Sequence, residues 1–247
     1  MRGFWPIFKR ELFAMFVTPL AWVLFTTFLL VQGIHIVLLL SQSVSQVDAG
    51  GGPLQAFFGG TILFYLVLLI VTPLLTMRLF AEERRSGTIE TLLTAPVDAA
   101  GVVLGKYAAA FVTYAIMWVP TLLYVVRLSQ FSDIDPRVVA TSYAGVLAVG
   151  AGYLAIGTMT SAMTTSQVTA AVLSSTAVVG LFMLGIGGEF VFDTGTLHDV
   201  CSYMSVWAQL ADFSQGVVDL RRIAFDVGVT AVPLFVTVRA VESWGWG

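Results

Sequence analysis

The sequence predicts an all-α polytopic membrane protein with six transmembrane helices. Hydrophobic residues make up 57% of its 247 residues and charged residues only 11%, whereas soluble domains carry roughly 25% charged residues. The mean hydropathy is +0.90. Several uncharged stretches reach the length of about 20 residues that a helix needs to cross the hydrocarbon core. We therefore expect residues 1–247 to form a single transmembrane domain.

The N-terminal segment predicts a helix that lies in the membrane interface. Residues 1–18 mix aromatic and aliphatic side chains with charged ones, which is typical of an interfacial helix. An extension of the first span is the alternative, but Pro19 favours a break. The apolar run Leu20–Leu40 exceeds the 7–15 residues of a secretory signal core, so we interpret it as the first span.

The second and third spans flank a charged insert. We expect the second span over Phe57–Phe80, the third over Val102–Val126, and the insert over residues 81–97. Lys106 is expected to extend its ammonium group to the nearby interface. A loop that only reversed the chain would need few residues. The length and patterning of the insert therefore suggest a docking element for a soluble partner.

Residues 138–188 contain no charged residue and predict the fourth and fifth spans. As one helix they would be about 75 Å long, more than twice the thickness of the hydrocarbon core. The chain must therefore fold back, and Thr164–Gln167 is the polar segment at which it can do so. Asp135 and Pro136 form a helix-start signal for the fourth span.

The segment 188–222 predicts short helices on the side opposite the insert. Its apolar stretch Val200–Leu210 is too short to cross the membrane, which favours a re-entrant or interfacial helix. The sixth span then covers Ile223–Ala240, with Asp226 near one end.

Basic residues predict the orientation of the spans. With both termini and the insert in the cytoplasm, the basic residues on the inside are Arg2, Lys9, Arg10, Arg78, Arg84, Arg85, Lys106 and Arg239. Those on the outside are Arg127, Arg137, Arg221 and Arg222. Because basic residues accumulate on the cytoplasmic side, we expect a multi-pass protein of the cytoplasmic (inner) membrane with both termini in the cytoplasm.

The second half of the insert has the pattern of an amphipathic helix. Ile89, Leu92 and Leu93 follow the i, i+3, i+4 spacing that places side chains on one helix face. Glu90 points away from that face, and Pro96 ends the helix. A membrane-surface helix without any partner is the alternative interpretation of this pattern.

The first half of the insert carries charge and a turn signal. Glu82 and Glu83 lie toward the N-terminal side of the expected helix, where the positive end of the helix dipole favours carboxylates. Gly87 and Thr88 supply a bend or cap immediately before the apolar face.

The insert resembles a known family signature. The segment Glu82–Val97, E-E-R-R-S-G-T-I-E-T-L-L-T-A-P-V, is similar to the pattern E-E-x-x-x-G-T-x-E-x-L-L-x-x-P-V of ABC-2 type permeases, the membrane subunits of ABC exporters. Leu104–Lys106 also fits. Segments 212–221 and 234–239 resemble the gliding-motility permease subgroup and, more distantly, the permeases of nitrous-oxide reductase maturation. Gln215 and the tail 243–247 depart from that subgroup, where basic residues are expected.

The resemblance implies how such a chain is assembled and used. It would be the permease subunit of an ATP-driven exporter, paired as a homodimer or with a second permease and embedded in membrane lipid. Two separate ABC ATPase subunits would dock below and bind ATP and Mg²⁺, so no cofactor is expected in this chain. The implied partner-coupling residues are Glu82, Glu83, Gly87, Thr88, Ile89, Glu90, Leu92, Leu93 and Pro96.

The sequence gives no support for an enzyme or a nucleic-acid-binding protein. Residues 101–106 lack the glycine spacing and the Ser/Thr of a phosphate-binding loop. Cys201 has only His35 and His198 as other soft ligands, too few for a Cys/His metal site. No basic run of the kind that binds nucleic acid is present.

Three other classes of membrane protein are alternatives to a permease: an ion-coupled carrier, an intramembrane protease and a structural subunit. The predicted span interiors lack the acidic and basic residues that an ion-coupled carrier needs. An intramembrane protease would need a nucleophile and base or an acidic pair within the spans, whereas His35 is isolated and is expected to be a hydrogen-bonded structural residue. A non-transporting structural subunit of an assembly complex remains the alternative, although it would not need the insert.

Overall fold

The computed structural model describes residues 3–43, 53–59, 61–88, 97–130, 134–191 and 195–244. Helices and the short turns between them account for all of these residues, and no strand occurs among them. The predicted all-α fold is confirmed.

The helices follow one another with short connections. In the first half they are α1 (Phe4–Val17), α2 (Pro19–Ser43), α3 (Pro53–Gly59), α4 (Ile62–Thr76), α5 (Ala81–Ser86) and α6 (Ala99–Trp118). A 3₁₀ turn at Val119–Thr121 joins α6 to α7 (Leu122–Leu128). The second half contains α8 (Pro136–Met163), α9 (Gln167–Val191), α10 (Thr196–Met204), α11 (Val206–Ser214) and α12 (Leu220–Trp244).

Within the described residues, six helical segments are long and apolar enough to cross a membrane, as predicted. They are Pro19–Ser41, Ile62–Ser86, Ala99–Leu128, Pro136–Met163, Gln167–Gly187 and Leu220–Trp244. We refer to them as spans 1 to 6.

Three of the predicted boundaries are confirmed. Thr18 adopts an extended backbone (φ −75°, ψ 134°) before α2 begins at Pro19. The chain folds back between Met163 and Gln167. The carboxylate of Asp135 accepts a hydrogen bond from the backbone N–H of Arg137 at 2.8 Å and caps α8, which satisfies one of the free donors at the start of a helix.

Span 2 begins later than the sequence predicts. The expected start at Phe57 lies in the separate helix α3, and Thr61 is extended (φ −135°, ψ 142°) before α4 begins. The break has a structural reason, because the hydroxyl of Thr61 lies 2.5 Å from Nε2 of His35, and Gly59 packs close to the backbone of Ala211 in α11. These contacts are between distant parts of the chain, and the local sequence signals the break only through the dipeptide Gly59-Gly60.

Neighbouring helices pack in close contact at glycines of spans 3 and 4. A Cβ at Gly150 in span 4 would lie 2.2 Å from the ring of Tyr114 in span 3. The buried Tyr114 hydroxyl donates a hydrogen bond to the carbonyl of Val146 at 3.1 Å. A Cβ at Gly105 would lie 3.1 Å from Ile7, so α1 packs directly on the start of span 3. These contacts hold α1 beside the end of the bundle that carries the insert.

Two short helices occupy the region between spans 5 and 6. The apolar stretch Val200–Leu210 is divided at Ser205, whose hydroxyl accepts from the N–H of Ala208 at 3.2 Å and caps α11. Phe213 of α11 packs on Gly145 of span 4, where a Cβ would lie 2.8 Å from its ring. Whether these helices enter the membrane from outside stays a prediction.

Candidate functional site

The candidate site lies at the C-terminal end of span 2, which contains α5 and the charged half of the insert. α5 has Glu82 and Glu83 in its first turn and two arginines in its last turn, an order that complements the helix dipole. Gly87 ends α5 with φ 72°, a left-handed conformation that glycine adopts without strain.

The predicted coupling residues divide into two groups. Glu82, Glu83, Gly87 and Thr88 are described by the structure. Those that lie outside the described residues are Ile89, Glu90, Leu92, Leu93 and Pro96.

Glu83 lies in a cluster of charged side chains from three helices. Its Oε1 is 2.9 Å from Nζ of Lys106 in span 3 and 2.8 Å from Nη2 of Arg10 in α1. Glu11 of α1 pairs with the same two cations, at 3.0 Å from Lys106 and 2.7 Å from Arg10. We call these four residues the charge cluster. It joins α1, α5 and span 3 through charge-assisted contacts.

Lys106 is buried, not exposed at the interface as the sequence led us to expect. The residue is 1% exposed, and its ammonium donates to Glu11 and to the carbonyl of Leu79 at 2.8 Å in addition to pairing with Glu83. It also lies 5.2 Å from the ring centroid of Phe80. The expectation is wrong because α1, α5 and the turn before α5 cover the position and provide a partner for each of the three ammonium protons.

The charge cluster keeps Glu11 ionised. Burial raises the pKa of the Glu11 carboxyl, but the positive charge and hydrogen bonds of Lys106 and Arg10 outweigh burial and leave that pKa below its usual value. The Glu11 carboxylate therefore remains charged at neutral pH.

Glu82 and Arg84 attach α5 to three further spans. Oε2 of Glu82 lies 3.0 Å from Nε of Arg78 and accepts from Nε2 of Gln167, at the start of span 5, at 2.5 Å. Arg84 donates to the carbonyl of Ala162 in span 4 at 2.8 Å. Its guanidinium lies 4.8 Å from the ring centroid of Trp244 in span 6, within cation–π range.

Ser161 of span 4 forms hydrogen bonds with the backbone of the turn between α4 and α5. Its buried hydroxyl oxygen accepts from the N–H groups of Phe80 and Ala81 at 3.1 and 3.2 Å and donates to the carbonyl of Met77 at 3.0 Å. The first N–H groups of a helix have no partner within that helix. The Ser161 hydroxyl oxygen provides the hydrogen-bond acceptor for two such groups at the start of α5.

These contacts connect α5 to α1 and to spans 3, 4, 5 and 6. A displacement of α5 along or across the membrane would therefore act on most of the bundle through short polar contacts. The arrangement suits the transmission of movement, not covalent chemistry. Among the described residues, no three His, Cys, Asp or Glu side chains are grouped so that they could hold a metal ion.

Sequence reasoning missed most of the side chains that hold α5 and complete the charge cluster. Arg10, Glu11, Ser161 and Gln167 carry no local signal for this role, because each is distant in sequence from α5. Lys106 did carry a signal, since a lone cation inside an apolar run calls for a partner.

Asp226, which the sequence places near one end of the sixth span, is buried in the bundle. This residue of span 6 is 8% exposed, and its carboxylate accepts a hydrogen bond at 2.5 Å from the buried Gln209 of α11. Neighbouring Arg222 pairs with Asp212 at 2.9 Å. His35, by contrast, is a hydrogen-bonded structural residue as predicted, with Nδ1 3.3 Å from Gln32 and Nε2 against Thr61.

Comparison with known proteins agrees with this architecture. No individual curated protein matches the chain. A family model described as ABC-2 family transporter protein matches residues 41–239, which include spans 2 to 5, most of span 6 and all the predicted coupling residues. The chain therefore belongs to the ABC-2 family of transporter proteins.

Proposed function

We propose that this permease couples ATP hydrolysis in a separate ABC ATPase subunit to export of a substrate across the inner membrane. ATP and Mg²⁺ bind in the ATPase, and this chain has no catalytic residue or cofactor of its own. Two permease copies, or this chain and a second permease, enclose the pathway. Membership of the ABC-2 family supports the transporter part of this proposal, and the contacts of α5 support the coupling part.

The observation that carries the proposal is the attachment of α5 to the rest of the bundle. Glu83 pairs with Lys106, Glu82 accepts from Gln167, and Arg84 donates to the carbonyl of Ala162. A surface helix without a mechanical role would gain little from a lysine that is 1% exposed, because removing an ammonium group from water is costly unless it is fully paired.

In this proposal the ATPase binds the segment that follows α5. The apolar face of Ile89, Leu92 and Leu93 enters a cleft of the ATPase, Glu90 orients it, and α5 carries the resulting movement into the spans. The end of the bundle with α1 and α5 faces the cytoplasm, since the ATPase and its nucleotide are there.

The test is co-expression with a candidate ABC ATPase from the same organism, followed by affinity purification and an ATP hydrolysis assay in proteoliposomes. Burial of one leucine side chain is worth roughly 1.5–3 kcal/mol, so Leu92→Ser/Leu93→Ser should weaken ATPase binding by about two to four orders of magnitude. The variant should insert into the membrane normally.

The control is Leu122→Ser/Leu123→Ser, an adjacent pair of exposed leucines in the last third of span 3. It should keep both ATPase binding and hydrolysis. If the Leu92 and Leu93 variant also kept both, the insert would not be a docking element, and a non-transporting structural subunit would be the better interpretation.

A further inference from the structure

Span 6 holds α11 along its whole length through two charged side chains. Arg222 donates from Nη1 to the carbonyl of Ser205, the residue before α11, at 3.2 Å, and its Nη2 lies 2.9 Å from Oδ2 of Asp212 in the last turn of α11. Asp226, one turn further along span 6, accepts from Nε2 of Gln209 in the middle of α11 at 2.5 Å. Residues three or four apart share a helix face, so these contacts join one face of α11 to one face of span 6.

These contacts are largely removed from water. Asp226 is 8% exposed and Gln209 is 2% exposed, and the side chain of Arg222 is 14% exposed. Hydrogen bonds to a charged group are stronger than neutral ones, and a buried charged group that loses its partner is costly. Sliding α11 along span 6 would break all three contacts, so we expect the two helices to move together.

The contacts of α11 with α3 and span 2 are of a different kind. Gly59 of α3 packs on the backbone of Ala211, and the ring of Trp207 stacks on that of Tyr65 in span 2, with 4.7 Å between the centroids. Apolar packing has no directional requirement, and it tolerates a small shift of one helix past another. α11 is therefore fixed more firmly to span 6 than to α3 or span 2.

Span 4 adds to the support of α11 and lies directly against span 6. The hydroxyl of Thr141 in span 4 donates to the carbonyl of Phe213 in α11 at 2.9 Å. A Cβ at Gly152 would lie 2.9 Å from the side chain of Val229 in span 6. Pro233 interrupts the hydrogen-bond ladder of span 6, and the close packing one turn before it keeps span 6 against span 4. Spans 4 and 6 therefore form one unit with α11.

The same unit holds α5 at its opposite end. The ring centroid of Trp244, the last residue of span 6, lies 6.1 Å from that of Phe80 and 4.8 Å from the guanidinium of Arg84 in α5. Arg84 also donates to the carbonyl of Ala162 in span 4. Between Arg222 and Trp244 a helix rises about 33 Å. Spans 4 and 6 thus connect α5 with α11 from one end of the bundle to the other.

We propose that Arg222 and Asp226 are positioning residues for transport, which fix α11 to span 6 so that a displacement of α5 also moves α11. This proposal rests on the function proposed above, because α5 is displaced only if an ATPase docks at the insert. Rigid packed elements can carry coupling between distant sites. The two residues act through α11 and need no contact with the transported substrate.

The first test asks whether these contacts fix α11, and it needs no ATPase. Nitroxide labels at Gln215→Cys and Phe235→Cys, both exposed positions, report the distance between the end of α11 and the middle of span 6. The distance is measured by double electron–electron resonance in nanodiscs, in a Cys201→Ser background. Asp226→Leu removes the acceptor for Gln209 and should broaden the distance distribution roughly twofold, because α11 gains freedom to shift. Asp226→Asn keeps an acceptor and should leave the distribution unchanged.

Arg222→Met is an independent variant, because it removes the contacts with both Ser205 and Asp212. It should broaden the same distribution. An unchanged distribution in either Asp226→Leu or Arg222→Met would overturn the role of that residue, since other contacts would then hold α11. Equal broadening in Asp226→Asn and Asp226→Leu would also contradict the proposal, because the effect would come from loss of charge and not from loss of the acceptor.

The second test follows the same two labels in the complex with the ATPase, with Arg222 and Asp226 intact. The distance is measured without nucleotide and after trapping with ATP and vanadate. It should stay constant within about 2 Å, because α11 moves with span 6. In Asp226→Leu the distance should change on trapping. A change in the protein with both residues intact, or a constant distance in both proteins, would refute transmission through span 6.

ATPase binding, measured by co-purification in the same samples, separates this proposal from the function on which it rests. Asp226→Leu should still bind the ATPase, because Trp244 and Arg84 are unaltered. Absence of binding by the unsubstituted chain would refute the proposed function and, with it, the displacement of α5. The distances measured without ATPase would then still decide whether α11 is fixed to span 6.

Discussion

At the scale of single residues, the most informative side chain is Lys106. Its ammonium group is removed from water and pairs with Glu11 and Glu83 at 3.0 and 2.9 Å. Both carboxylates are themselves largely buried, at 15% and 18% exposed. Without Lys106, these two carboxylates would have only the half-exposed Arg10 as a cationic partner, so Lys106 matters more than any one of its contacts suggests.

Replacing Lys106 with methionine should destabilise the protein by about 3 kcal/mol, the cost of leaving a buried pair without one partner. Unfolding in detergent, followed by size-exclusion chromatography after heating, measures this change. The triple variant Lys106→Met/Glu11→Gln/Glu83→Gln should recover part of the loss, because the charge it leaves without a carboxylate partner is that of Arg10, whose side chain is 54% exposed.

The control for the methionine substitution is Arg127→Met, which removes an exposed cation at the opposite end of span 3. Its effect should stay within about 0.5 kcal/mol. If Lys106→Met were no more disruptive than this control, the charge cluster would contribute nothing to stability.

The ionisation of Glu11 gives the charge cluster a defined pH dependence. Because the folded state lowers the pKa of this carboxyl below its usual value of 4.5, the stabilisation is fully present above that value and is lost as the pH falls through the lower folded pKa. The difference in unfolding temperature between wild type and Glu11→Gln should stay constant from about pH 8 to about pH 5.5 and shrink only below about pH 4.5.

Glu242→Gln is the control for this pH series, since Glu242 forms an exposed pair with Arg239. It should change the unfolding temperature little at any of these pH values. A difference for Glu11→Gln that declined already between neutral pH and pH 5.5 would contradict a lowered pKa.

At the scale of elements, the junction between α4 and α5 decides how the insert is held. The chain turns at Met77–Phe80, and Ser161 of span 4 binds three backbone groups of this turn and of the start of α5. α5 therefore does not depend on its own six residues for stability. It is held by a neighbouring span, which is how so short a helix can persist.

Substitution of Ser161 with alanine should loosen this junction. The N–H groups of Phe80 and Ala81 would lose a buried acceptor, which costs roughly 1–3 kcal/mol. Hydrogen exchange of these two amides should become about tenfold faster or more, measured by mass spectrometry in nanodiscs. Ser129→Ala, at an exposed turn, should leave them unchanged, and unaltered exchange in Ser161→Ala would show that Ser161 does not hold the turn.

At the scale of the whole molecule, the six spans place two sets of loops at opposite ends. α1, α5 and the ends of spans 4 and 6 meet at one end through contacts of Arg10, Arg84 and Trp244. Ser129 lies in the connection between spans 3 and 4, and α10 and α11 lie in the connection between spans 5 and 6. Because successive spans run in opposite directions, these connections belong to the other end of the bundle. The proposal that the α5 end faces the cytoplasm can therefore be tested with single positions.

Cysteine accessibility tests this orientation in a Cys201→Ser background. Ser86→Cys at the exposed end of α5 should react with a membrane-impermeant maleimide only after the cytoplasmic side is opened. Ser129→Cys should react in intact cells, and both residues are exposed. Labelling of position 86 in intact cells would reverse the orientation and exclude docking of a cytoplasmic ATPase at the insert.

Much of the fold could be predicted because it depends on local composition. The uncharged run at 138–188, the break at Pro19 and the helix start at Asp135 each follow from the neighbouring residues alone. The structure confirms all three. The helix break between Gly59 and Ile62 has a local signal in Gly59-Gly60, but its contacts with His35 and α11 could not be predicted, because these come close only in the folded bundle.

By itself, the sequence determined that this protein is a six-span helical membrane protein of the ABC-2 type and that Glu82 and Glu83 lie in its distinctive insert, because hydropathy and a short motif are local properties. Only the tertiary structure decided what those glutamates contact. Lys106 is buried and paired instead of solvated because α1 folds back onto span 3 and α5 covers it. The environment of an ionisable group is set by the elements packed around it, and those elements are distant in the chain.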